Sequence, residues 1–430
     1  MFIKKLLNAP YALTFSDVIL LPGRSSVEPY QVDLKSNFTL NIEINIPIVS
    51  SPMDTITEWE MAIVMASIGG IGVIHRNCSI EEQVNMVKKV KQARPLIIRN
   101  VKICSKELCS VAVKNMEELG LEVLPVVDER GLFLGYIKYS EVKRYATDSE
   151  LVGKYVIERR GINIKEYDKA LTLIERGIED LVAIVDSQNR LLSVVTSENL
   201  DANVTMDENG RLRVAASISP FDVRRAKALE KWVDVLVSDI AHFHNVNAIK
   251  AARNMLKEVN VDFVAGNIGT YEAAEDVITM LEHVEGLRVG IASGSICTTG
   301  IVTGVAAPTL YATASVRDAL EDYGLSKIPI IADGGIRTPG DAAKALAAGA
   351  STVMIGRVLA GTEEAPSPIV ERNGKLYKVY RGMASPSAIA KRYTIDRYGR
   401  TVKNIPEGIE GLVPYEGSAI KVIEKFKSGL

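Results

Sequence analysis

A chain of 430 residues is too long for one ordinary domain and suits a large domain with a smaller companion. Its 51 basic and 53 acidic side chains nearly cancel, which argues against a nucleic-acid surface or a basic membrane-binding helix. Cys78, Cys104, Cys109 and Cys297 show no C-x-x-C or zinc spacing, and no apolar stretch has signal-peptide or membrane-spanning character, so the expectation is a cytoplasmic globular protein without nucleic-acid or membrane partners.

In chain order, short apolar runs recur at 46–54 (IPIVSSPMD), 69–77 (GGIGVIHRN), 212–220 (LRVAASISP), 233–242 (VDVLVSDIAH), 261–270 (VDFVAGNIGT), 287–295 (LRVGIASGS), 328–336 (IPIIADGGI) and 351–361 (STVMIGRVLAG). Most precede a stretch with helical spacing, such as SIEEQVNMVKKVKQ and TPGDAAKALAAGA. Continuous apolar runs read as parallel strands covered on both faces. Eight of them alternating with helices predict an α/β chain folded as a (β/α)8 TIM barrel. A doubly wound open sheet is the alternative. Gly70-Ile71-Gly72 lacks the third glycine of a dinucleotide fingerprint, because His75 stands there.

Between the second and third runs the βα rhythm stops. ELGLEVLPVVDERGLFLGYIKYSEV (118–142) resembles ERGIEDLVAIVDSQNRLLSVVTSENL (175–200), with Gly120 matching Gly177 and Asp128 matching Asp186. This internal repeat resembles a pair of CBS modules placed in a barrel loop, where insertions are tolerated. The expected division is 1–94 for the first part of the barrel, 95–202 for the insert and 203–430 for the rest.

A barrel of this type builds its site from the carboxyl ends of its strands. Those ends carry Ser51, Met53 and Asp54; His75, Arg76 and Asn77; Asp239; Asn267; Ser293 to Cys297; Asp333 to Gly335; and Gly356 with Arg357. Gly334, Gly335 and Gly356, on the last two units, would bring backbone N–H groups to a phosphate. Cys297, in the small-residue loop GIASGSICTTG, reads either as a nucleophile or as a small buried filler.

Taken together, LTFSDVILLPGRS (13–25), SSPMDTITEWEMA, GGIGVIHRN, GSICTT, ADGGIRTPGD, LAGTEEAP, YRGM (380–383) and PEGIEGLVPYEG (406–417) resemble IMP dehydrogenase and its close relative GMP reductase. The resemblance implies that Cys297 attacks C2 of the purine, that hydride leaves to NAD, and that water hydrolyses the resulting thioimidate to XMP. Thr299 would position that water, and Arg397 with Tyr398 on a mobile flap would supply the base. Ser51, Met53, Ser295, Asp333, Gly334, Gly335, Met354, Gly356, Arg357, Tyr380, Gly382 and Met383 would hold IMP, with Asp333 on the ribose hydroxyls and Glu407 at the purine edge. Asp239, Asn267, Arg288 and Gly290 would face the nicotinamide.

The resemblance also implies a homotetramer and a CBS pair open to an adenine nucleotide, although Lys138 with Glu141 and Thr196 with Asn199 stand where a nucleotide-binding repeat has threonine and aspartate. Carbonyls of Ala292, Gly294 and Cys297 would form a monovalent-cation site. The chain ends at Leu430, before a family tail that completes the shell, so the expectation is little or no potassium activation. Ala292, Thr309, Phe243 and Arg357 depart from the family pattern, and Phe243 is expected on the cofactor side. Two alternatives stand beside the dehydrogenase: a GMP reductase using NADPH, and a regulatory paralogue that binds nucleotide with little turnover.

Overall fold

The computed structural model describes residues 2–93, 102–119, 121–179, 181–196, 204–390 and 407–430. The chain divides into two compact units, one of Met1–Arg94, Thr205–Tyr415 and Val422–Leu430, the other of Pro95–Val204 and Glu416–Lys421.

The first unit is built on parallel strands β1 (Ile48–Ser50), β2 (Ile71–Ile74), β3 (Ala215–Ile218), β4 (Val235–Ser238), β5 (Asp262–Ile268), β6 (Gly286–Val289), β7 (Ile330–Asp333) and β8 (Thr352–Ile355). They pair in that order, and β8 closes on β1 through Val353 opposite Ile48. Closure rules out the doubly wound sheet. Every strand falls on one of the eight apolar runs, because a strand buried on both faces needs no polar alternation. Helix α1 (Ile80–Gln92) starts at a Ser79–Glu82 capping box, and α2 (Pro339–Ala347) at a Thr338–Asp341 box with proline at its first turn.

Val49, Ile71, Val73, Val235, Val237, Val264, Ile331 and Met354 fill the barrel. Phe38, Ile42 and Ile44 join that core from a short hairpin pairing Ser36–Asn37 with Glu43–Ile44. The hairpin is tied to the start of β5, where Asp262 accepts from the Thr39 hydroxyl and from Asn41 Nδ2 at 2.9 Å. Burying each such side chain contributes about 1.5–3 kcal/mol.

A second antiparallel sheet, β9 (Ile369–Arg372), β10 (Lys375–Arg381) and β11 (Glu410–Pro414), belongs to the same unit. Asn373 and Gly374, both at positive φ, make its two-residue turn.

The chain leaves the barrel after α1 and re-enters at Thr205, and an ion cluster marks both ends. Lys91 Nζ lies 3.0 Å from Asp207 and 2.7 Å from Asp234, and Arg211 and Arg213 flank those acids. Burial alone would raise the Asp207 carboxyl, but the backbone N–H of Arg211 and the Lys91 ammonium win and bring it to about 2. Asp234, more deeply placed, is raised by burial despite Lys91.

The second unit shows the repeat directly. Val123–Val127 pairs with Phe133–Lys138, and Leu181–Val185 with Leu191–Thr196, each with a bulge at the same place. Asp128 Oδ1 accepts from the N–H groups of Arg130 and Leu132; Asp186 Oδ1 accepts from those of Gln188 and Arg190. The left-handed turn residue is Gly131 in one hairpin and Asn189 in the other. Phe133 N donates to Asn189 O at 2.9 Å, and Leu191 N to Gly131 O at 3.1 Å. These are the same bond seen twice, so a local pseudo-twofold axis relates the hairpins. Gly120 and Asn199 lie outside the described residues.

Removing the shared cation leaves two largely buried carboxylates with only Arg211 and Arg213 to balance them, which destabilises the fold. Lys91→Met is therefore expected to lower the thermal midpoint of the first unit by several degrees. The Asp207 contribution is complete above the unfolded value near 3.9 and is lost as pH falls through about 2. Asp207→Asn should flatten that acid limb, which unfolding curves from pH 5 to 2 would reveal.

Candidate active site

The loops after β1, β6, β7 and β8 meet in one cleft that opens to solvent. Ser51, Met53, Ser295, Asp333, Gly334, Gly335, Met354, Gly356, Arg357 and Tyr380 line it, as does Gly294. Ile336 and Arg337 also line it, and the sequence reading missed both. Arg337 and Arg357 put two guanidinium groups on the glycine loops. Gly334 and Gly335 have φ of 97° and 78°, a region that favours glycine.

Tyr380 arrives from β10. Two charged ties hold that strand. Lys378, buried two residues earlier on the same strand face, donates from Nζ to the carbonyls of Thr362 (2.8 Å), Glu363 (3.1 Å) and Ala365 (2.6 Å), in the loop beyond β8. Arg381 makes a two-point contact with Asp54 beyond β1, at 3.0 and 2.6 Å, and Asn77 beyond β2 donates to the same carboxylate at 2.8 Å. Burial pushes the Tyr380 phenol up, the Ser295 hydroxyl offsetting part of the rise, so at neutral pH the phenol is a neutral donor.

Cys297 stands on the same loop as Gly294 and Ser295, half-buried rather than a filled core position. Its Sγ lies 3.2 Å from Thr299 Oγ1, which in turn lies 3.0 Å from Glu407 Oε2. Thr298 N donates to Glu407 O and Ile409 N to Ile296 O, so a short antiparallel pairing clamps the thiol loop to residues 407–409. The structure thus places Glu407 beside Thr299, a relation that spacing could not reveal. Gly382 lies under this pairing, where an added Cβ would meet Ile296 O at 3.2 Å; Met383 follows it in the turn. Arg397 and Tyr398 lie outside the described residues.

The residues expected at the cofactor side converge around Asp333. Asn267 Nδ2 donates to Asp333 Oδ2 and to Gly290 O, each at 2.9 Å. Arg288 donates to Asp333 Oδ2 from Nε at 2.9 Å and to Asp239 Oδ1 from Nη1 at 3.1 Å. At Gly290 (φ 127°) a Cβ would come within 2.2 Å of Asp333 O, so only glycine fits. Thr309 is buried and donates to that carbonyl at 2.8 Å, which gives its departure from the family pattern a structural role. Phe243 stands beside the cofactor-side residues through its backbone, its N–H donating to Asn267 O at 2.9 Å, but its side chain turns inward. Its ring is fully buried against Phe263, with centroids 6.2 Å apart, because a large apolar ring is more stable packed in the core than at a polar rim.

Arg76 donates from Nε and Nη2 to Asp239 O at 3.1 and 2.8 Å, while its buried Nη1 has no partner among the described residues. That orphan donor beside Asp239 fits a site awaiting a polar ligand. The candidate cation site is less well formed. Gly294 O accepts from Cys297 N at 3.0 Å, and Ala292 sits at φ 60°, a conformation that favours glycine.

Comparison with known proteins agrees with this arrangement. The family profile described as IMP dehydrogenase / GMP reductase domain matches residues 12–430. An inosine-5'-monophosphate dehydrogenase of Korarchaeum cryptofilum is 50% identical over 98% of this chain and 89% of its own. One from Methanocaldococcus jannaschii is 42% identical over 100% of this chain and 90% of its own. Among solved structures, a GMP reductase variant of Trypanosoma brucei in complex with guanosine 5'-monophosphate is similar at a TM-score of 0.68 and 33% identity, over 99% of this chain and 92% of that one. With the family profile and relatives of 42–50% identity spanning nearly the whole sequence, the chain belongs to the IMP dehydrogenase / GMP reductase family.

Proposed function

We propose that the protein oxidises IMP to XMP with NAD as hydride acceptor. The observation that carries this reading is the half-buried Cys297 thiol, joined through Thr299 to Glu407 beside a cleft lined by glycine turns and two arginines. The curated relatives at 50% and 42% identity, both inosine-5'-monophosphate dehydrogenases, favour the dehydrogenase over the reductase.

In this reading the glycine turns and Arg357 hold the phosphate. Asp333 takes the ribose hydroxyls on the oxygen left over by Arg288 and Asn267, whose bonds all fall on Oδ2. The Cys297 sulfur adds to C2 of the purine, and C2 then loses hydride. NAD, when bound on the side of Asp239 and Arg76, supplies the acceptor. The Thr299 hydroxyl and Glu407 carboxylate lie where they can orient a water and take its proton as the thioimidate is hydrolysed. Arg397 and Tyr398 are proposed as the flap base that completes this step. The CBS-like unit, an adenine nucleotide bound to it and a homotetramer remain part of the same proposal.

The reading is tested by mixing IMP and NAD and following NADH absorbance. IMP-dependent NADH is expected, with none from Cys297→Ala even though that variant still binds IMP. Steady NADH from the variant would remove the covalent mechanism, and NADPH-dependent loss of GMP in its place would select the reductase.

Arg357→Ser exchanges charge-assisted bonds for one neutral bond of roughly half the strength. IMP binding should weaken tenfold or more, and inosine binding hardly at all. An equal loss for both ligands would place Arg357 away from the phosphate.

Potassium titrated at constant ionic strength should change the rate less than twofold, because three loop carbonyls and water make a weak site for a monovalent cation. Saturable activation of about tenfold, or ~1.4 kcal/mol on the barrier, would show a complete cation site.

A further inference from the structure

We propose that Arg288 is a positioning residue through which the ribose-binding carboxylate and the cofactor-side carboxylate are coupled, so that each ligand tightens the binding of the other. The inference rests on the functional reading above and deepens it.

Arg288 stands on β6 between acids borne by the loops after β4 and at the end of β7. Its side chain is 7% exposed, whereas those of Asp239 and Asp333 are 19% and 16% exposed. Both acids therefore reach the surface where ligands arrive, and the cation between them does not. One edge of the guanidinium, Nε and Nη2, grips Asp333 Oδ2 at 2.9 and 2.8 Å, while Nη1 reaches Asp239 Oδ1 at 3.1 Å. The group is planar and its donors are fixed in a fork, so setting one edge sets the other.

The surroundings leave this link in control of the Asp239 carboxylate. Arg76 Nε and Nη2 hold the Asp239 backbone carbonyl, and Nε lies farther from its carboxylate, at 3.4 Å. Asp333 accepts from Arg288 and Asn267 on Oδ2 and from Thr309 on its backbone carbonyl, so its Oδ1 is the atom left for a ligand to engage. A nucleotide whose ribose hydroxyls engage Asp333 immobilises the guanidinium plane. Asp239 is then already ordered when the cofactor arrives, and less ordering is left to be done on binding. Burial opposes the charge on Arg288, but the two acids outweigh it and hold its proton affinity above the ordinary arginine value. The link is therefore cationic throughout the working pH range. Asp239 is not among the residues that line the nucleotide cleft, and Arg288 is the side chain that touches both acids.

The test uses the full chain carrying Cys297→Ala, which blocks turnover, with IMP and NAD titrated by calorimetry alone and together. Saturating IMP should tighten NAD fivefold or more, and NAD should tighten IMP by the same factor, as linkage requires. Adding Arg288→Lys keeps the charge but replaces the fork by a point donor. Whatever each ligand's own affinity becomes, the coupling factor, the ratio of its affinity with and without the other ligand, should fall to within twofold of unity. Absence of coupling in the parent, or full coupling retained with lysine, overturns the proposal. Failure of the parent to bind IMP at all overturns the functional reading instead, and the proposal with it.

Should Arg288→Lys melt early, Asp239→Asn provides a second measurement. It leaves the Arg288–Asp333 contact in place and frees the guanidinium to move fully onto Asp333, in competition with ribose hydroxyls. IMP alone should bind threefold or more weakly, although Asp239 does not line the cleft. Unchanged IMP affinity would refute the link.

Discussion

The buried guanidinium of Arg288 is the constraint around which the mouth of the barrel is organised. A cation that deep is tolerated only with anions in contact, and an acid that loses it is left strongly destabilised. Asp239 and Asp333 supply the negative charge, Arg76 restores the balance, and Asn267 and Thr309 supply neutral bonds. The requirement propagates outward. Gly290 must be glycine because the chain bearing Asp333 passes so close to it, and Phe243 packs inward beneath the same loops.

The antiparallel sheet beside the barrel obeys a similar logic with different means. It has little apolar surface of its own to bury: the residues of β9 are mostly exposed. Charges hold it in place, Lys378 on three carbonyls and Arg381 on Asp54. Such bonds are directional, and they fix the strand in register where apolar contact alone would let it slide. Tyr380 owes its place over the cleft to that register, since it lies on the strand between the two tied residues.

The barrel was legible because each strand is an unbroken apolar run, and the helices after β2 and β7 begin with polar caps that can be recognised locally. Most cleft residues were legible through glycines and polar groups at strand ends. The antiparallel sheet was missed, although Asn373-Gly374 is a strong hairpin signal, because β9 (IVER) and β10 (KLYKVYR) are rich in charge and lack the strict two-residue alternation of a half-buried strand. The partnership of Glu407 with Thr299 spans 108 positions, and that of Arg381 with Asp54 spans 327. No periodicity carries such pairings. The inward turn of the Phe243 ring was hidden for a related reason: its neighbours in sequence are polar, and only the fold shows that the ring meets Phe263.

The cluster of Lys91 with Asp207 and Asp234 bears on how such a chain could have been assembled. It joins the residue run just before the second unit to the run just after it, so the backbone leaves and returns at nearly the same point. A detour whose ends already meet places no demand on the length or the content of what lies between. Within the barrel, β2 and β3, the strands on either side of the detour, pair directly. An ancestral barrel with a short turn at this point could acquire, exchange or lose an entire folded module by a single recombination event, and its catalytic face would not need to be rebuilt.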